Sequence, residues 1–287
     1  MTKTVGNAKR GGFLYFAALI LYLSLSLIGQ EILQVLYASE TVKYAVGSLF
    51  SVSAFAFFTV MYVKNGGEFS GLRKFSPVYL LPAFLLAAGM LLGLGFLNSL
   101  VAEGVKSVGG VVTDVQVPLD TPLNYLLFTV LLCLFPAIAE ELFFRGVLLS
   151  SLSGVKKAAG VFTVALCFAL YHGNVAQLFF QFIYGLGLGF LTLKAKSVLP
   201  AIIAHFLNNF AVLSLEYFKI PFDFTNPFVI AAGAVIITGF ILFLVFYDAN
   251  PFPAQSKTDS IKDFYIPFGA LGVIATSLLI ILSALPI

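Results

Sequence analysis

Residues 123–150 read LNYLLFTVLLCLFPAIAEELFFRGVLLS, and this apolar run decides the fold class. A helix crosses the hydrocarbon of a bilayer with about 20 apolar residues and satisfies its backbone hydrogen bonds internally. Thr121 and Pro122 precede the run, which predicts a helix start with a side-chain cap and a proline in the first helical position. We therefore interpret the run as a membrane-spanning helix.

Other apolar runs of similar character flank this one on both sides. They cover residues 12–33, 41–63, 77–99, 158–173, 175–193, 197–215, 227–247 and 264–286. The three runs between residues 158 and 215 are short, so one of them could be re-entrant or merged with its neighbour. We expect a single integral membrane domain over residues 1–287. It should be an all-α, polytopic bundle of eight to nine transmembrane helices that encloses an intramembrane polar cavity.

The composition agrees with a membrane protein and excludes other classes. Hydrophobic residues make up 60% of the chain and charged residues 10%, whereas a soluble domain carries roughly 25% charged residues. The net charge is only +3, and no run of Lys or Arg exceeds two residues, so we exclude nucleic acid as a partner. Cys133 and Cys167 lie inside apolar runs, which is typical of packed thiols.

The loop charges predict the orientation of the bundle, because short cytoplasmic loops are enriched in Lys and Arg. Basic residues occur at the N-terminus and in every second loop: Lys3, Lys9, Arg10, Lys64, Arg73, Lys74, Lys156, Lys157, Lys194 and Lys196. The intervening loops carry mainly acidic residues, among them Asp114, and the last loop, with Asp248 and Lys257, breaks the alternation. We predict that the N-terminus is cytoplasmic. The membrane would be that of the endoplasmic reticulum if the source is eukaryotic and the cell membrane if it is prokaryotic.

Three ionisable residues lie inside the run from 123 to 150: Glu140, Glu141 and Arg145. A charge at the centre of a membrane helix costs about 2.5–3.5 kcal/mol on insertion scales, so such groups usually serve a function. Glu141 and Arg145 are four residues apart on one helix face and can pair. Glu140 is turned away from Arg145, and we assign it to chemistry. The alternative is that all three form a structural salt-bridge cluster.

Both histidines of the chain lie in apolar runs downstream. Phe168 precedes His172 by one helical turn and can shield its imidazole from lipid, while Asn209 follows His205 by one turn on the same face. A single buried histidine is often a packed core residue. Two histidines, an asparagine and a charged cluster on three separate runs instead predict one site.

This set of side chains favours water as the nucleophile. Glu140 with a histidine neighbour can act as a general base, and His205 and Asn209 can donate to the oxyanion formed when an amide carbonyl is attacked. Cys167 is five residues from His172, about 140° around a helix, which argues against a Cys–His dyad. Two histidines and a glutamate are also zinc ligands, although the HExxH spacing is absent. A zinc-dependent protease stays open as an alternative.

The order of these residues resembles a known family. Glu-Glu-x-x-x-Arg at residues 140–145, Phe-x-x-x-His at 168–172 and His-x-x-x-Asn at 205–209 are similar to the motifs of the CAAX prenyl endopeptidases of the Ras-converting type. That family belongs to the wider group of CAAX proteases and bacteriocin-processing enzymes, also called the abortive-infection family. The resemblance covers roughly residues 123–215, which would be the catalytic core helices.

The resemblance implies an intramembrane endopeptidase that cleaves after the prenylated cysteine of a CAAX C-terminus and releases the AAX tripeptide. It implies that Glu140 and His172 activate water, that His205 and Asn209 bind the oxyanion, and that no metal or other cofactor is required. The supporting residues would be Glu141, Arg145 and Phe168. The partners would be a prenylated CAAX protein or peptide and membrane lipid, whereas the oligomeric state is not indicated.

Two other classes remain as alternatives at this stage. A transporter or channel could use the same residues as a proton or ion relay, and a non-catalytic membrane protein could keep them for stability. One feature also conflicts with the predicted topology, because a helix that runs outward from Lys157 would place His172 far from Glu140. A later start, a strong tilt or a break at Gly173 would remove the conflict. Gly185 and Gly189 have the spacing that permits close helix packing.

Overall fold

The computed structural model describes residues 7–67, 71–112, 117–247 and 259–285, and these ranges contain nine helices and no strand. The helices are α1 Asn7–Val35, α2 Glu40–Lys64, α3 Pro77–Ser107, α4 Pro122–Ser151, α5 Lys157–Tyr171, α6 Leu178–Ala195, α7 Leu199–Tyr217, α8 Pro227–Phe246 and α9 Ile261–Ser283. Eight of these are long and apolar enough to cross a membrane, and α5 is shorter. The chain is a multi-pass integral membrane protein, as predicted.

Helix α4 begins as its sequence predicts. Thr121 is extended (φ −133°, ψ 154°), and its hydroxyl oxygen accepts a hydrogen bond from the Asn124 N–H at 3.1 Å. Pro122 takes the first helical position, where no N–H is needed. The cap and the proline together reduce the number of unpaired N–H groups at the start of α4, the helix that carries the acidic residues.

Helix α4 is interrupted by two π-helical stretches, Thr129–Leu134 and Leu142–Leu148. At the end of the first stretch, the Phe135 N–H bonds to the Val130 carbonyl five residues back. Pro136 follows and has no N–H to donate. Backbone carbonyls in this part of α4 are therefore left without their regular helical donors.

Side chains from two other helices bind these carbonyls. The Ser48 hydroxyl of α2 donates to the Leu131 carbonyl, and the Asn209 amide of α7 donates to the Leu132 carbonyl at 3.4 Å. The proline thus creates acceptors in the membrane interior that hold α2 and α7 against α4.

Hydrogen bonds near the helix ends show which of these ends lie together. The Arg10 guanidinium, at the start of α1, donates to the Tyr62 carbonyl near the end of α2 at 3.2 Å. The Ser197 hydroxyl, between α6 and α7, donates to the Arg73 carbonyl before α3 at 2.7 Å. We call this side of the bundle the basic end, because the loops rich in Lys and Arg meet there.

Helix α9 crosses from the basic end to the opposite end. The Asp259 N–H donates to the Gly154 carbonyl of the α4–α5 loop at 3.3 Å, and the Val111 N–H of the α3–α4 loop donates to the Ala284 carbonyl at 2.9 Å. The residues of the charge analysis that lie outside the described ranges are Lys3, Asp114, Asp248 and Lys257. The cytoplasmic assignment of the N-terminus stays a prediction.

Helices α5 and α6 pack closely through the two glycines noted in the sequence. A Cβ atom on Gly185 would lie 3.1 Å from the Ala165 Cβ, and one on Gly189 would lie 2.8 Å from a Val161 methyl carbon. The predicted close packing is confirmed, and it brings α6 against the helix that ends at His172.

Helices α3 and α8 approach each other more closely still, at Gly93 and Gly233. A Cβ on Gly233 would lie 2.0 Å from the Gly93 backbone nitrogen, so Gly233→Ala should force the two backbones apart and destabilise the protein by about 1–3 kcal/mol. Thermal unfolding in detergent would measure the loss. Gly239→Ala is the matched control on the same helix, because its Cβ would meet only Leu85 at 3.8 Å. Equal melting temperatures for the two variants would contradict the predicted contact.

The short length of α5 removes the conflict between His172 and Glu140. The 15 residues of α5 rise about 22 Å from the basic end, and Glu140 lies about 17 Å from the end of α4 at Ser151. The chain then turns at Gly173, which has a positive φ of 65°. Helix α5 thus ends near the depth of Glu140, and the break proposed at this glycine is present.

Candidate active site

The centre of the site is a buried ion-pair network that joins α4 to α7. Arg145 Nη1 donates to Glu141 Oε1 at 2.6 Å, and His205 Nδ1 lies 3.0 Å from the same oxygen. Glu141 is 0% exposed, Arg145 1% and His205 3%. The predicted Glu141–Arg145 pair is confirmed, and His205 completes the network.

Arg145 also connects α4 to α5 and α6. Its Nη2 donates to the Gly185 carbonyl at 3.3 Å, and its guanidinium carbon lies 4.2 Å from the centre of the Phe168 ring. The same ring lies 4.7 Å from the His172 ring and 5.7 Å from the His205 ring. Phe168 therefore lies between the two imidazoles and covers the arginine, and its supporting role stays a prediction.

The end of α5 fixes the orientation of His172. His172 directly follows the last helical residue of α5, and its N–H bonds to the Leu170 carbonyl. The His172 ring folds back along the helix, and its Nδ1 lies 2.7 Å from the Phe168 oxygen. A carbonyl can only accept, so Nδ1 carries the proton and a neutral His172 has a free lone pair on Nε2. His172 is partly exposed.

Glu140 lies beside the network but is less compensated than Glu141. It is 5% exposed, and its Oε1 lies 3.5 Å from the Tyr171 hydroxyl at the end of α5. That hydroxyl also hydrogen-bonds to the Ser51 hydroxyl of α2. Within the described ranges, Glu140 Oε2 has no hydrogen-bonding partner. Glu141 Oε2 also has no partner in these ranges, so the two carboxylates differ at Oε1, which contacts two cationic or ionisable side chains in Glu141 and a hydroxyl in Glu140.

His205 and Asn209 both face α4, as their spacing predicts. His205 contacts Glu141, and Asn209 contacts the Leu132 carbonyl one turn further along α7. The neighbouring Asn208 is 5% exposed, and its Oδ1 lacks a partner among the residues that the structure describes. Helix α7 therefore presents three polar side chains to the bundle interior.

The structure thus brings six of the seven predicted site residues into one continuous set of contacts and places Asn209 next to it. The six are Glu140, Glu141, Arg145, Phe168, His172 and His205. Glu140 joins this set through Tyr171, whose ring lies 5.1 Å from the His172 ring. They come from α4, from α5 with the residue after it, and from α7, so the expected convergence of three separate segments is present.

Sequence reasoning missed two residues that bind to the predicted site. Tyr171 contacts Glu140, and Ser51 on α2 contacts Tyr171. Tyr171 carried a usable signal, because it is a polar residue next to His172 in an apolar run. Ser51 had no comparable signal, since it lies on a distant helix.

The described residues do not assemble an evident metal site: no group of three or more His, Cys, Asp or Glu side chains in these ranges is placed to hold an ion. The thiols of Cys133 and Cys167 are free and buried. The zinc alternative is therefore left to a direct chelation experiment.

A comparison with protein families bears on the helices that build this site. The family model described as type II CAAX prenyl endopeptidase, Rce1-like, matches residues 122–211. No curated protein and no solved structure matches the chain. The matched segment begins at α4 and ends in α7, so it includes all seven site residues predicted from the sequence. The resemblance drawn from the motifs is thereby confirmed: residues 122–211 of this membrane protein match the Rce1-like family of type II CAAX prenyl endopeptidases.

Proposed function

We propose that the protein is an intramembrane endopeptidase that hydrolyses the peptide bond after the prenylated cysteine of a CAAX C-terminus and releases the AAX tripeptide. The proposal rests on one observation: Glu140 and His172 both contact Tyr171, Glu140 through the hydroxyl and His172 through the ring. Among the described residues, Glu140 Oε2 is buried without a partner, and a neutral His172 presents a lone pair on Nε2. Either group can take a proton from water as a general base.

In the proposed reaction, a water oxygen attacks the carbonyl carbon of the scissile bond while its proton passes to Glu140 or His172. The tetrahedral intermediate then collapses, the C–N bond breaks, and the proton moves to the nitrogen of the departing tripeptide. The new carboxylic acid gives its remaining proton to the amine, so the products are a carboxylate on the prenylated cysteine and the ammonium terminus of the tripeptide. No electron donor or acceptor is involved.

The partner of His205 sets a condition on its role as an oxyanion donor. A carboxylate accepts hydrogen bonds, so the Nδ1 of His205 supplies the proton in its contact with Glu141. Donation to an oxyanion through Nε2 therefore requires a second proton on the ring. We propose that the Asn209 amide is an oxyanion donor once it leaves the Leu132 carbonyl, and that His205 is the other donor when its Nε2 carries a proton.

The substrate class agrees with the location of the site. A prenyl chain anchors a protein C-terminus to the bilayer, and the buried network lies about 17 Å from the basic end of α4, well within the hydrocarbon. A lipid-anchored peptide could reach this depth without carrying its whole protein into the membrane. The prenyl group would thus bring the peptide to the site.

The decisive experiment uses the full-length protein in detergent or nanodiscs, with a farnesylated CAAX peptide and the same peptide without the lipid. We expect tripeptide release from the farnesylated peptide alone, and no change after treatment with a chelator. Mass spectrometry would identify the released tripeptide. Inhibition by chelator that zinc reverses would support the metal-dependent alternative. No cleavage of either peptide would favour a structural or transport role for the same residues.

Tyr171 is proposed as a positioning residue for Glu140. Tyr171→Phe removes the hydroxyl that contacts Glu140 but keeps the ring packing, so we expect kcat to fall about tenfold with little change in KM. Tyr22→Phe is the matched control, because that ring lies 5.3 Å from the Tyr171 ring. Steady-state kinetics over a range of pH would show an altered profile for Tyr171→Phe alone. Equal kinetics for both variants would contradict the positioning role.

A further inference from the structure

Helix α2 lies outside the segment that matches the family model, and it still reaches the candidate site. The matched segment covers residues 122–211, whereas α2 spans Glu40–Lys64. Ser51 of α2 is 9% exposed, and its hydroxyl hydrogen-bonds to the Tyr171 hydroxyl. The Tyr171 hydroxyl in turn lies 3.5 Å from Glu140 Oε1. A side chain of α2 is therefore two hydrogen bonds away from the proposed general base.

Helix α2 contacts the ring of Tyr171 as well as its hydroxyl. Phe55 follows Ser51 by about one helical turn and lies on the same face of α2. Its ring is buried and lies 4.8 Å from the Tyr171 ring at an angle of 80°. The Tyr22 ring of α1 also contacts the Tyr171 ring, at 5.3 Å. Partners on other helices thus hold both parts of this side chain and direct its hydroxyl to Glu140.

The charge on Glu140 sets the direction of the two hydrogen bonds. An ionised carboxylate can only accept, so the Tyr171 hydroxyl gives its one proton to Glu140 Oε1. The Tyr171 oxygen is then the acceptor in its bond with Ser51, and the Ser51 hydroxyl is the donor. The chain of donors therefore runs from Ser51 through Tyr171 to Glu140, and each bond strengthens the next by polarisation.

The same two hydroxyls can also serve a protonated Glu140. A general base gains a proton in every turnover, and a protonated carboxyl can donate to the Tyr171 oxygen. The Tyr171 proton then turns to Ser51, whose own proton can turn to a backbone carbonyl of α2. Only the O–H directions change, and no O–H bond breaks. A lysine or an arginine in place of these hydroxyls could only donate and would serve the ionised form alone.

The other ionisable groups near Glu140 do not share this contact. The ionisable side chains around Glu140 belong to Tyr22, Glu141, Arg145, Tyr171, His172 and His205. Arg145 and His205 both bind Glu141. In the part of the chain that the structure describes, Tyr171 is the one hydrogen-bonding partner of the Glu140 carboxyl. Support for Glu140 therefore comes through the hydroxyl that Ser51 contacts.

We propose that Ser51 is a positioning residue for Glu140 and that it acts through Tyr171. Its hydroxyl donates to Tyr171 while Glu140 is ionised, and it accepts from Tyr171 after Glu140 has taken a proton from water. This role rests on the proposed function, because it concerns Glu140 as the base. It extends the working site to α2, beyond the helices that match the family model.

The first test removes the hydroxyl and keeps Tyr171 and Glu140 in place. Ser51→Ala should lower the kcat for tripeptide release from the farnesylated peptide about fivefold and leave KM unchanged, since one hydrogen bond is lost. Ser48→Ala is the matched control on the same helix. Ser48 is also 9% exposed, but its hydroxyl donates to the Leu131 carbonyl, so its removal should leave kcat unchanged.

A double variant tests whether Ser51 acts through Tyr171. In the Tyr171→Phe background, Ser51→Ala should cause no further fall in kcat, because the hydroxyl that connects it to Glu140 is already absent. Infrared difference spectra between two pH values give a readout that does not need cleavage. The carboxyl band that Glu140→Gln removes should shift in Ser51→Ala and stay in place in Ser48→Ala.

The outcomes separate this inference from the proposed function. An unchanged kcat in Ser51→Ala, an additive loss in the double variant, or an unshifted carboxyl band would overturn the role of Ser51 and leave the proposed function standing. If the unaltered protein does not cleave the farnesylated peptide, the proposed function is overturned, and the positioning role of Ser51 is overturned with it.

Discussion

Glu140→Gln is expected to lower the kcat for tripeptide release by about 10³-fold, the middle of the range for a general base. Glutamine keeps the size of the side chain but cannot accept a proton from water. Both buried carboxylates have an Oε2 without a partner in the described part of the chain, but Glu141 Oε1 contacts Arg145 and His205, whereas Glu140 Oε1 contacts the Tyr171 hydroxyl. The loss should therefore appear in kcat with an unchanged melting temperature. Single-turnover cleavage of the farnesylated peptide would measure it.

Glu31→Gln is the matched control, because Glu31 is an exposed residue of α1 and lies outside the site. It should cleave the peptide at the rate of the unaltered protein. Full activity of Glu140→Gln would exclude this carboxylate as the base.

The second large effect concerns stability and does not require catalysis. Arg145→Met leaves Glu141 buried with a single partner, His205, and removes the donor that binds the Gly185 carbonyl. Removing one partner of a buried ion pair costs about 3–5 kcal/mol, so we expect a large fall in stability. The melting temperature in detergent would measure it.

Lys43→Met gives the contrast for this prediction. Lys43 and Glu40 also pair at 2.7 Å, but their side chains are 39% and 65% exposed, so the change should cost at most about 1 kcal/mol. The double variant Glu141→Gln/Arg145→Met removes both charges and should recover part of the loss. A double variant less stable than Arg145→Met would show that the cost arises from packing rather than from charge.

Much of the fold follows from one physical requirement: in lipid, the backbone N–H and C=O groups must form hydrogen bonds with one another. The long apolar runs and the cap at Thr121 are therefore readable from the sequence, and the structure confirms them. The interruptions in α4 were not predicted. Pro136 was visible in the run, but which carbonyls it would free, and which side chains would bind them, depends on how α2 and α7 pack against α4.

The site was partly readable for a similar reason. Spacing along one helix predicts contacts on that helix, which is why the Glu141–Arg145 pair and the position of Phe168 beside His172 were found. Contacts between residues on different helices follow no fixed separation in the sequence. The bond between His205 and Glu141, and the chain from Ser51 through Tyr171 to Glu140, depend on tertiary packing and needed coordinates.

The shortness of α5 has a consequence for the surrounding bilayer. A helix that rises about 22 Å falls about 8 Å short of the hydrocarbon thickness, and the turn that follows exposes Gly173 to its surroundings. Bare peptide groups at this depth need water or a protein partner, and local thinning of the bilayer would bring water to the turn. We therefore expect the bilayer to be locally thinner beside α5, on the side of the bundle opposite to the basic end.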